Sequence, residues 1–316
     1  MIFNKIKFWF NNSRPFSIPM TFLPWLCVFL YSLKFDGSIL NGIVALVGIL
    51  FAHLGTNLVD DYVDYRLLDG EAGYKTKFKY LTDGTSTIEE LRNVIIIYLT
   101  FASIMGLYLL YKCGITVAFL ALIGGGIVLS YPRLSSKGLG ELAVGTAFGP
   151  LLFEGVYFVM TGNFSFEVLL LSFAVVSYVV ILLFVNNFLD YDSDVKNNKI
   201  TLAVKLGKMN SVNFLYLLGF GGYVFAIIFG FISKINYAWI VIFTLPLLSS
   251  LGQSLRNYAI DKKKIPQLRW WNYPIGDWES LCKNGTAPFY FNLLTARNLA
   301  VWFAIFICIA INIAKY

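Results

Sequence analysis

Charged residues are scarce in this sequence. Asp, Glu, Lys and Arg make up only 14% of its 316 residues, while hydrophobic residues make up 58% and the mean hydropathy is +0.68. Soluble globular domains carry roughly 25% charged residues, so the composition excludes that class. We therefore predict an integral membrane protein.

Histidine and cysteine are also few, and their positions exclude the common metal and redox motifs. The four cysteines form no CxxC pair and show no zinc-like spacing. The single histidine, His53, lies one helical turn before Asn57, where it could orient a substrate or move a proton. We favour a structural hydrogen bond for this side chain. The sequence carries no haem, flavin, nicotinamide or nucleotide signature.

Long apolar runs are what the sequence does contain. A helix needs about 20 residues to cross the hydrocarbon core, and nine runs approach or reach that length. They cover residues 16–33, 38–57, 93–111, 114–130, 140–160, 167–188, 211–232, 237–254 and 297–315. We predict an all-α bundle of nine membrane-spanning helices around a central cavity, forming one domain over residues 1–316.

The basic residues predict the orientation of this bundle. Nine spans place the N-terminal segment and the loops after the second, fourth, sixth and eighth helices on one side, which holds all but four of the 25 Lys and Arg residues. The four on the other side are Lys34, Lys112, Lys234 and Lys315. Because Lys and Arg are retained in the cytoplasm, we predict a cytoplasmic N-terminus and an outer C-terminus in the cell's inner (plasma) membrane. This topology explains the net charge of +7 better than nucleic-acid binding does.

Two clusters of aspartate and asparagine end the second and sixth predicted helices. NLVDDYVD covers residues 57–64, and NNFLDYDSD covers residues 186–194. We interpret their equivalent positions as the mark of two pseudo-repeats. Side chains four residues apart share a helix face, which pairs Asn57 with Asp61, Asp60 with Asp64, and Asn186 with Asp190 and Asp194.

These clusters indicate a metal and phosphate site. A carboxylate in or beside a membrane is costly unless a cation compensates it, and Mg²⁺ prefers oxygen ligands that it shares with substrate phosphates. The simpler interpretation is that these acids are solvated charges at helix ends. A single cluster would favour that interpretation, whereas two matched clusters with adjacent asparagines favour a site. A cation-coupled multipass transporter is the alternative of another class, but transporters usually place such acids near the membrane midplane.

Several segments resemble the UbiA-type intramembrane prenyltransferases. Residues 186–208, NNFLDYDSDVKNNKITLAVKLGK, resemble that family's second aspartate motif and the segment that follows it. Residues 131–145, YPRLSSKGLGELAVG, together with Gly149-Pro150 and Thr161-Gly162, resemble the branch that prenylates 1,4-dihydroxy-2-naphthoate in menaquinone synthesis. Arg14-Pro15 and residues 289–299, FYFNLLTARNL, add further similarity.

The first motif departs from the family pattern. The family shows Asn-Asp-x-x-Asp with a further Asp a few residues on, whereas Asp60 replaces the Asn here and the nearest later acid is Asp69. Aspartate is at least as good a hard oxygen ligand as asparagine, so we expect metal binding to survive.

The resemblance implies Mg²⁺-dependent transfer of a polyprenyl group from its diphosphate to an aromatic quinone precursor within the bilayer. Five carboxylates would hold the metal, and all but the first would be catalytic because they stabilise the departing diphosphate. They are Asp60, Asp61, Asp64, Asp190 and Asp194. Other acceptors stay open, namely 4-hydroxybenzoate, homogentisate, a tetrapyrrole or a glycerol-phosphate lipid.

The resemblance also implies substrate-binding residues around the motifs. Basic residues of the cytoplasmic loops would contact phosphate oxygens, and these are Arg66, Arg133, Lys137, Lys199 and Lys205. Each of them alone is typical of any cytoplasmic loop, and Lys137 and Lys199 are favoured because they lie within the matched motifs. The remaining predicted substrate-binding residues lie within the motifs and are Asn57, Asp60, Asn186, Asn187, Tyr62 and Tyr191. The rings of the two tyrosines would face a carbocation.

Two features stay outside the motifs. Glu154 lies deep in the fifth predicted helix, where a carboxylate is expensive, and a site role and a structural role are both open. Residues 270–285, WWNYPIGDWESLCKNG, have no counterpart in the resemblance. Because Trp and Tyr favour the membrane interface, we predict that this segment joins the loops after the second and sixth helices in a cytoplasmic cap.

Overall fold

The computed structural model describes residues 2–67 and 78–314. All regular secondary structure in these ranges is helical, and nine of their helices are long and apolar enough to cross a membrane. These are α1 (Pro15–Leu33), α2 (Ile39–Arg66), α3 (Ile88–Cys113), α4 (Thr116–Ser135), α5 (Gly140–Thr161), α6 (Phe166–Leu189), α7 (Leu202–Ile232), α8 (Ala238–Ile260) and α9 (Ala287–Ile313). The predicted all-α class and the number of spans are confirmed. Asp69 and Lys315 lie outside the described residues.

Helix α6 is the core of the bundle. Of its most apolar stretch, 72% is buried, against 11% for α3 and for α4. It packs chiefly against α7 and α9, with α5 on a further side. A helix that is apolar all round can be buried on every face, whereas α3 and α4 leave their apolar faces open, as expected of helices that contact lipid.

The predicted start of α9 at residue 297 is wrong, because the helix begins at Ala287. Arg297 and Asn298 interrupt the apolar run, but inside the fold their polar groups have partners. The Asn298 amide donates to the carbonyls of Asn272 at 2.7 Å and Pro274 at 2.9 Å. A buried polar group with hydrogen-bond partners costs far less than an isolated one, so the helix continues through these residues.

Other helices also extend beyond their apolar runs at the same end of the bundle. Helix α2 continues past residue 57 to Arg66, α3 begins at Ile88 rather than 93, and α7 begins at Leu202 rather than 211. Hydrophobicity measures the part of a helix that contacts lipid or core, whereas backbone hydrogen bonding continues into polar sequence. The first aspartate cluster therefore lies within α2.

This end of the bundle is covered by short elements. They are the helices Ile2–Asn12, Lys79–Thr82, Tyr191–Lys196 and Trp278–Lys283, with the loops around them. Ion pairs attach two of these helices to neighbouring parts of the bundle. Lys5 Nζ lies 3.1 Å from Glu90 Oε1 of α3, and Asp192 Oδ2 lies 2.7 Å from Lys262 Nζ in the loop after α8. The Trp271 indole donates to Ser250 Oγ at 3.0 Å, which fixes the tryptophan-rich segment on α8.

Glu154 lies toward the opposite end. Its Oε2 atom accepts a hydrogen bond from the backbone N–H of Ser165 at 3.2 Å, at the residue that precedes α6. A carboxylate at a helix N-terminus satisfies backbone donors and complements the helix dipole. This contact supports the structural interpretation of Glu154.

Candidate active site

The first aspartate cluster faces residues 13–17, where the N-terminal helix Ile2–Asn12 has ended and α1 begins. The Asn57 amide donates to the Ser13 carbonyl at 3.0 Å and to Ser17 Oγ at 3.3 Å. One turn on, Asp61 contacts Arg14 of the same segment. The predicted shared face of Asn57 and Asp61 is therefore present, and it points at residues 13–17.

Asp61 is buried and carries both a counter-charge and a neutral donor. Asp61 is only 1% exposed. Arg14 Nη2 contacts its Oδ1 atom, and the Tyr80 hydroxyl donates to its Oδ2 atom at 2.9 Å. Arg14 Nη1 also lies 3.4 Å from Asp60 Oδ2. Removing a carboxylate from water is expensive unless it is paired and hydrogen-bonded, and this arrangement supplies both.

The charges around Asp61 shift the proton affinities of its partners. Burial alone would lower the pKa of Arg14, but the carboxylates of Asp61 and Asp60 outweigh it, so that this pKa is raised. Burial and then the charge of Asp61 raise the pKa of Tyr80 well above its ordinary value. Arg14 is therefore a permanent cation, and Tyr80 is a permanent hydrogen-bond donor.

The backbone of Arg14 is unusual. It has φ 60° and ψ 56°, in the left-handed region, directly before Pro15. For a residue other than glycine this conformation costs about 1–2 kcal/mol, and it persists only where the surroundings determine it. The Arg14 carbonyl accepts hydrogen bonds from the Ser17 N–H at 3.0 Å and from Ser17 Oγ at 2.8 Å. The turn directs the guanidinium at α2.

Aromatic rings cover this ion pair. Trp9 packs edge-on against Tyr80 with ring centroids 5.6 Å apart, and Phe8 does the same at 6.1 Å. These rings belong to a small apolar cluster that includes Leu58 and Phe78 and is separate from the main core. Excluding water lowers the local dielectric constant and strengthens the electrostatic contacts of Asp61.

His53 lies in the same region and is held on both sides. Its Nδ1 atom is 2.5 Å from Thr21 Oγ1, and its Nε2 atom is 3.2 Å from Ser17 Oγ. The ring also packs edge-on against Phe148 at 5.2 Å. These contacts fit the structural hydrogen bond that we favour for this residue.

The second cluster spans a break in the helix, so the prediction of one continuous helical stripe is corrected. Helix α6 ends at Leu189, and Asp190, with φ −86° and ψ 3°, separates it from the helix Tyr191–Lys196. Aspartate competes for backbone hydrogen bonds and disfavours helix interiors. The backbone bonds Asp190 N to Asn186 O at 3.1 Å and Asp194 N to Asp190 O at 2.9 Å still cross the break and link the three positions.

Side chains of the second cluster have divergent surroundings. Asp194 is only 3% exposed, whereas Asp190 lies on the surface. The Asn187 amide donates to Glu141 Oε1 at 2.8 Å, and both residues are buried between α5 and α6. Asn186 is half-buried beside it. The contact of Asn187 is thus one that holds two helices together.

Asp192, to which the sequence interpretation assigned no role, forms two ion pairs in this cluster. Its carboxylate lies 3.0 Å from Lys208 Nζ and 2.7 Å from Lys262 Nζ. These hydrogen bonds, with Lys262 first, lower the pKa of Asp192. Lys208 also stacks over the ring of Tyr191 at 5.2 Å. The surface around Asp192 is therefore charged and solvated.

The predicted phosphate-binding residues are dispersed over the same end. Lys205 Nζ donates to the Lys137 carbonyl at 2.6 Å, and Arg66 Nη1 donates to the Tyr62 hydroxyl at 3.2 Å. Lys199 is half-buried, and the side chains of Arg133 and Lys137 are exposed. A surface lysine or arginine can reach a ligand without a change of backbone, so these positions fit a phosphate site but do not define one.

The described side chains do not form a preformed metal-binding group. Among residues 2–67 and 78–314, no group of three or more His, Cys, Asp or Glu side chains lies close enough to hold a metal ion. Helix α2, which carries Asp61 and the half-buried Asp64, packs chiefly against α3, whereas α6 packs against α7 and α9. The donors are hard oxygen atoms that fit Mg²⁺, and Asp61 is a buried carboxylate with a cation already beside it.

Sequence reasoning missed Arg14 and Tyr80 as residues of the site. Arg14 stands out in the sequence only as half of an Arg-Pro pair, and Tyr80 follows a polar stretch of sequence with no local signal. Both contact Asp61 across 47 and 19 residues of chain. Only the fold brings them together.

Known proteins resemble this chain in sequence and in architecture. The sequence model described as the UbiA prenyltransferase family matches residues 21–273. The 1,4-dihydroxy-2-naphthoate octaprenyltransferase of Escherichia coli is 25% identical over 259 residues, which cover 78% of this chain and 83% of that protein. The UbiA prenyltransferase domain-containing protein 1 of Xenopus tropicalis is 27% identical over 262 residues, or 80% of this chain and 74% of that protein.

Solved structures show the same fold. A UbiA homolog from Archaeoglobus fulgidus, bound to GPP and Mg²⁺, superposes with a TM-score of 0.61 at 13% identity and covers 94% of this chain and 99% of its own. A structure of digeranylgeranylglyceryl phosphate synthase gives a TM-score of 0.57 at 17% identity, over 98% and 97% of the two chains. At these identities the likeness concerns the fold alone.

Proposed function

This chain belongs to the UbiA prenyltransferase family, and on that premise we propose that it transfers a polyprenyl group from its diphosphate to 1,4-dihydroxy-2-naphthoate, with Mg²⁺ as cofactor. The observation that carries the proposal is the pair of aspartate clusters at one end of an apolar bundle, each with a buried carboxylate, Asp61 and Asp194. A lipid-soluble donor with a charged head needs this combination of an apolar bundle and a polar end.

The carboxylates that would hold the metal are Asp61 and Asp64 of the first cluster and Asp190 and Asp194 of the second, with Asp60 beside them. When bound, Mg²⁺ would balance the charge that develops on the diphosphate as the allylic C–O bond breaks. The protein's own part is to hold its carboxylates at the membrane surface and to exclude water with the Trp9 and Tyr80 rings. Lys137 and Lys199 are the cations that we assign to the non-bridging phosphate oxygens.

The chemistry then requires a shielded carbocation and a nucleophilic ring. The electron pair of the broken C–O bond leaves with the diphosphate, and an aromatic carbon of the acceptor forms the new C–C bond. That carbon gives up its proton or its carboxyl group, and the ring becomes aromatic again. Tyr62 and Tyr191 are the rings that we assign to the cation, because both lie within the motifs.

The choice of acceptor rests on the similar proteins. The Escherichia coli relative is named for 1,4-dihydroxy-2-naphthoate, whereas digeranylgeranylglyceryl phosphate synthase shares the fold. A test compares acceptors side by side with the purified protein in detergent, using a polyprenyl diphosphate with and without Mg²⁺. We expect Mg²⁺-dependent product with 1,4-dihydroxy-2-naphthoate and none with Asp194→Ala. Product only with 4-hydroxybenzoate, homogentisate, a tetrapyrrole or a glycerol-phosphate lipid would retain the enzyme class and reject this acceptor.

Orientation and domain organisation belong to the same proposal. The aspartate end would face the cytoplasm of a cell with an inner membrane, with the single domain built of two pseudo-repeats. A reporter placed after Lys208 or after Lys264 should be cytoplasmic, and one at Tyr316 should lie outside. Finding the two internal positions on opposite sides would break the idea of one shared site.

A further inference from the structure

We propose that Arg14 is a tethered counter-ion for Asp61, which must leave this carboxylate before a divalent cation can bind it. Arg14 would thereby set the metal affinity of the first cluster. The inference rests on the proposed function, because it takes Asp61 as a metal ligand.

The first step is that both oxygens of Asp61 already have partners. Arg14 contacts Oδ1, and Tyr80 donates to Oδ2 at 2.9 Å, in a site that is closed to solvent. A cation that approaches Asp61 meets the guanidinium directly. A single carboxylate in a low-dielectric site cannot stabilise a guanidinium and a divalent cation at once without strong repulsion between the two cations.

The second step is that Arg14 and Tyr80, which both contact Asp61, differ in kind. Tyr80 is neutral, and a carboxylate oxygen that accepts one hydrogen bond keeps a lone pair for a metal. Arg14 carries a full charge that opposes the metal. Removal of Arg14 should therefore raise metal affinity, whereas removal of the Tyr80 hydroxyl should not.

The third step is that Arg14 is built to move. Its side chain is 26% exposed, whereas that of Asp61 is 2% exposed, so Arg14 is the less enclosed partner of the pair. It is carried on a turn in the left-handed conformation, between the helix Ile2–Asn12 and α1, and not within either helix. Rotation of the long side chain releases Asp61 without disturbing the bonds of Asn57 to Ser13 and Ser17.

The test measures metal binding with no prenyl diphosphate present. Purified wild type, Arg14→Gln, Tyr80→Phe and Arg92→Gln are titrated with Mn²⁺, and the free ion is followed by electron paramagnetic resonance. We expect Arg14→Gln to bind Mn²⁺ at least about tenfold more tightly than wild type, as removal of a neighbouring unit charge predicts. Arg92 is an exposed arginine on the same end, and its loss controls for a general change of surface charge.

Removing Arg14 also leaves a buried carboxylate without its counter-charge, which can destabilise the fold. Thermal unfolding in detergent addresses this point, because Mg²⁺ should raise the melting temperature of Arg14→Gln more than that of wild type. In the double variant Arg14→Gln with Asp61→Asn the gain in Mn²⁺ affinity should disappear.

Equal or weaker Mn²⁺ binding by Arg14→Gln, an equal gain in Arg92→Gln, or no Mn²⁺ binding by any variant would overturn the inference. The proposed function fails differently. It fails if wild type transfers no prenyl group to any acceptor, which the transfer assay measures separately.

Discussion

The two aspartate clusters have similar sequences, and each buries one carboxylate, Asp61 or Asp194, but their other surroundings differ. The first lies inside α2, where Asp61 is buried under aromatic rings and neutralised by Arg14. The second straddles the break after α6, where Asp190 is exposed and Asp192 is paired with lysines at the surface. Similar motifs at the two halves of a bundle thus need not be in equivalent states.

This difference suggests a division of labour. The first cluster buries a carboxylate that Arg14 of the protein itself neutralises, whereas the second also presents an exposed carboxylate, Asp190, at the surface.

The largest effect should come from the second cluster. Asp190→Ala and Asp194→Ala should each reduce prenyl transfer by about a thousandfold or more, because each removes a charge that stabilises the departing diphosphate. Size-exclusion chromatography and thermal unfolding should show that both variants still fold. Near-normal Mg²⁺-dependent turnover in both would remove the metal assignment.

In the first cluster, substitutions of the adjacent acids Asp60 and Asp61 should have different effects on turnover. Asp61→Asn should lose about a hundredfold in turnover, since it keeps the shape but removes the charge. Asp60→Asn restores the family's residue and should retain most activity. If Asp60 instead compensates for the Asp that the family carries downstream, Asp60→Asn should raise the Mg²⁺ concentration needed for half-maximal rate. Inactivity of Asp60→Asn at saturating Mg²⁺ would contradict both explanations and indicate a direct role, such as accepting the acceptor's proton.

A substitution of Tyr80 measures how much its hydrogen bond to Asp61 contributes to the stability of the fold. Tyr80→Phe removes a hydrogen bond to a buried carboxylate and should lower stability by about 1.5–3 kcal/mol. The pKa of Tyr80 is raised in the fold, so this contribution should be constant below the unfolded value of about 10 and should decline only above it. Thermal unfolding of both proteins at pH 7 and at pH 9 measures the difference, which should be the same. A difference that vanishes at pH 9 would count against the buried hydrogen bond.

The smallest effect should come from Asp192. Its carboxylate is about half exposed, so Asp192→Asn should change stability by less than about 1 kcal/mol despite two ion pairs. The lowered pKa of Asp192 means that its contribution is present above the unfolded pKa and is lost as the pH falls through the folded value. Unfolding at low and high salt should show that the small effect shrinks with salt. A large, salt-independent loss would make the second cluster resemble the first.

The sequence was sufficient for features that depend on composition and spacing. The nine spans and the shared face of Asn57 and Asp61 follow from apolar runs and the helical repeat. The start of α9 did not follow, because Arg297 and Asn298 look like a boundary until the carbonyls of Asn272 and Pro274 are known as partners. A single sequence carries no record of a partner so far along the chain.

The same limit applies to the site. The sequence predicts a grouping of carboxylates from their spacing, but it does not indicate which cations neutralise them. Asp61 meets Arg14 through a left-handed turn, and Asp192 meets Lys262 from the loop after α8 across 70 residues. Charge pairs of this kind are set by how helix ends are arranged, which local patterns do not encode.

We propose that both clusters act on one diphosphate. Equilibrium binding of a radiolabelled prenyl diphosphate in the presence of Mg²⁺ tests it most directly, with wild type, Asp61→Asn and Asp194→Asn compared at equal protein concentration. We expect a single class of prenyl diphosphate site in wild type, and we expect either substitution to reduce the affinity of that site strongly. Undiminished binding by either variant, or two independent sites of which each substitution removes one, would contradict it.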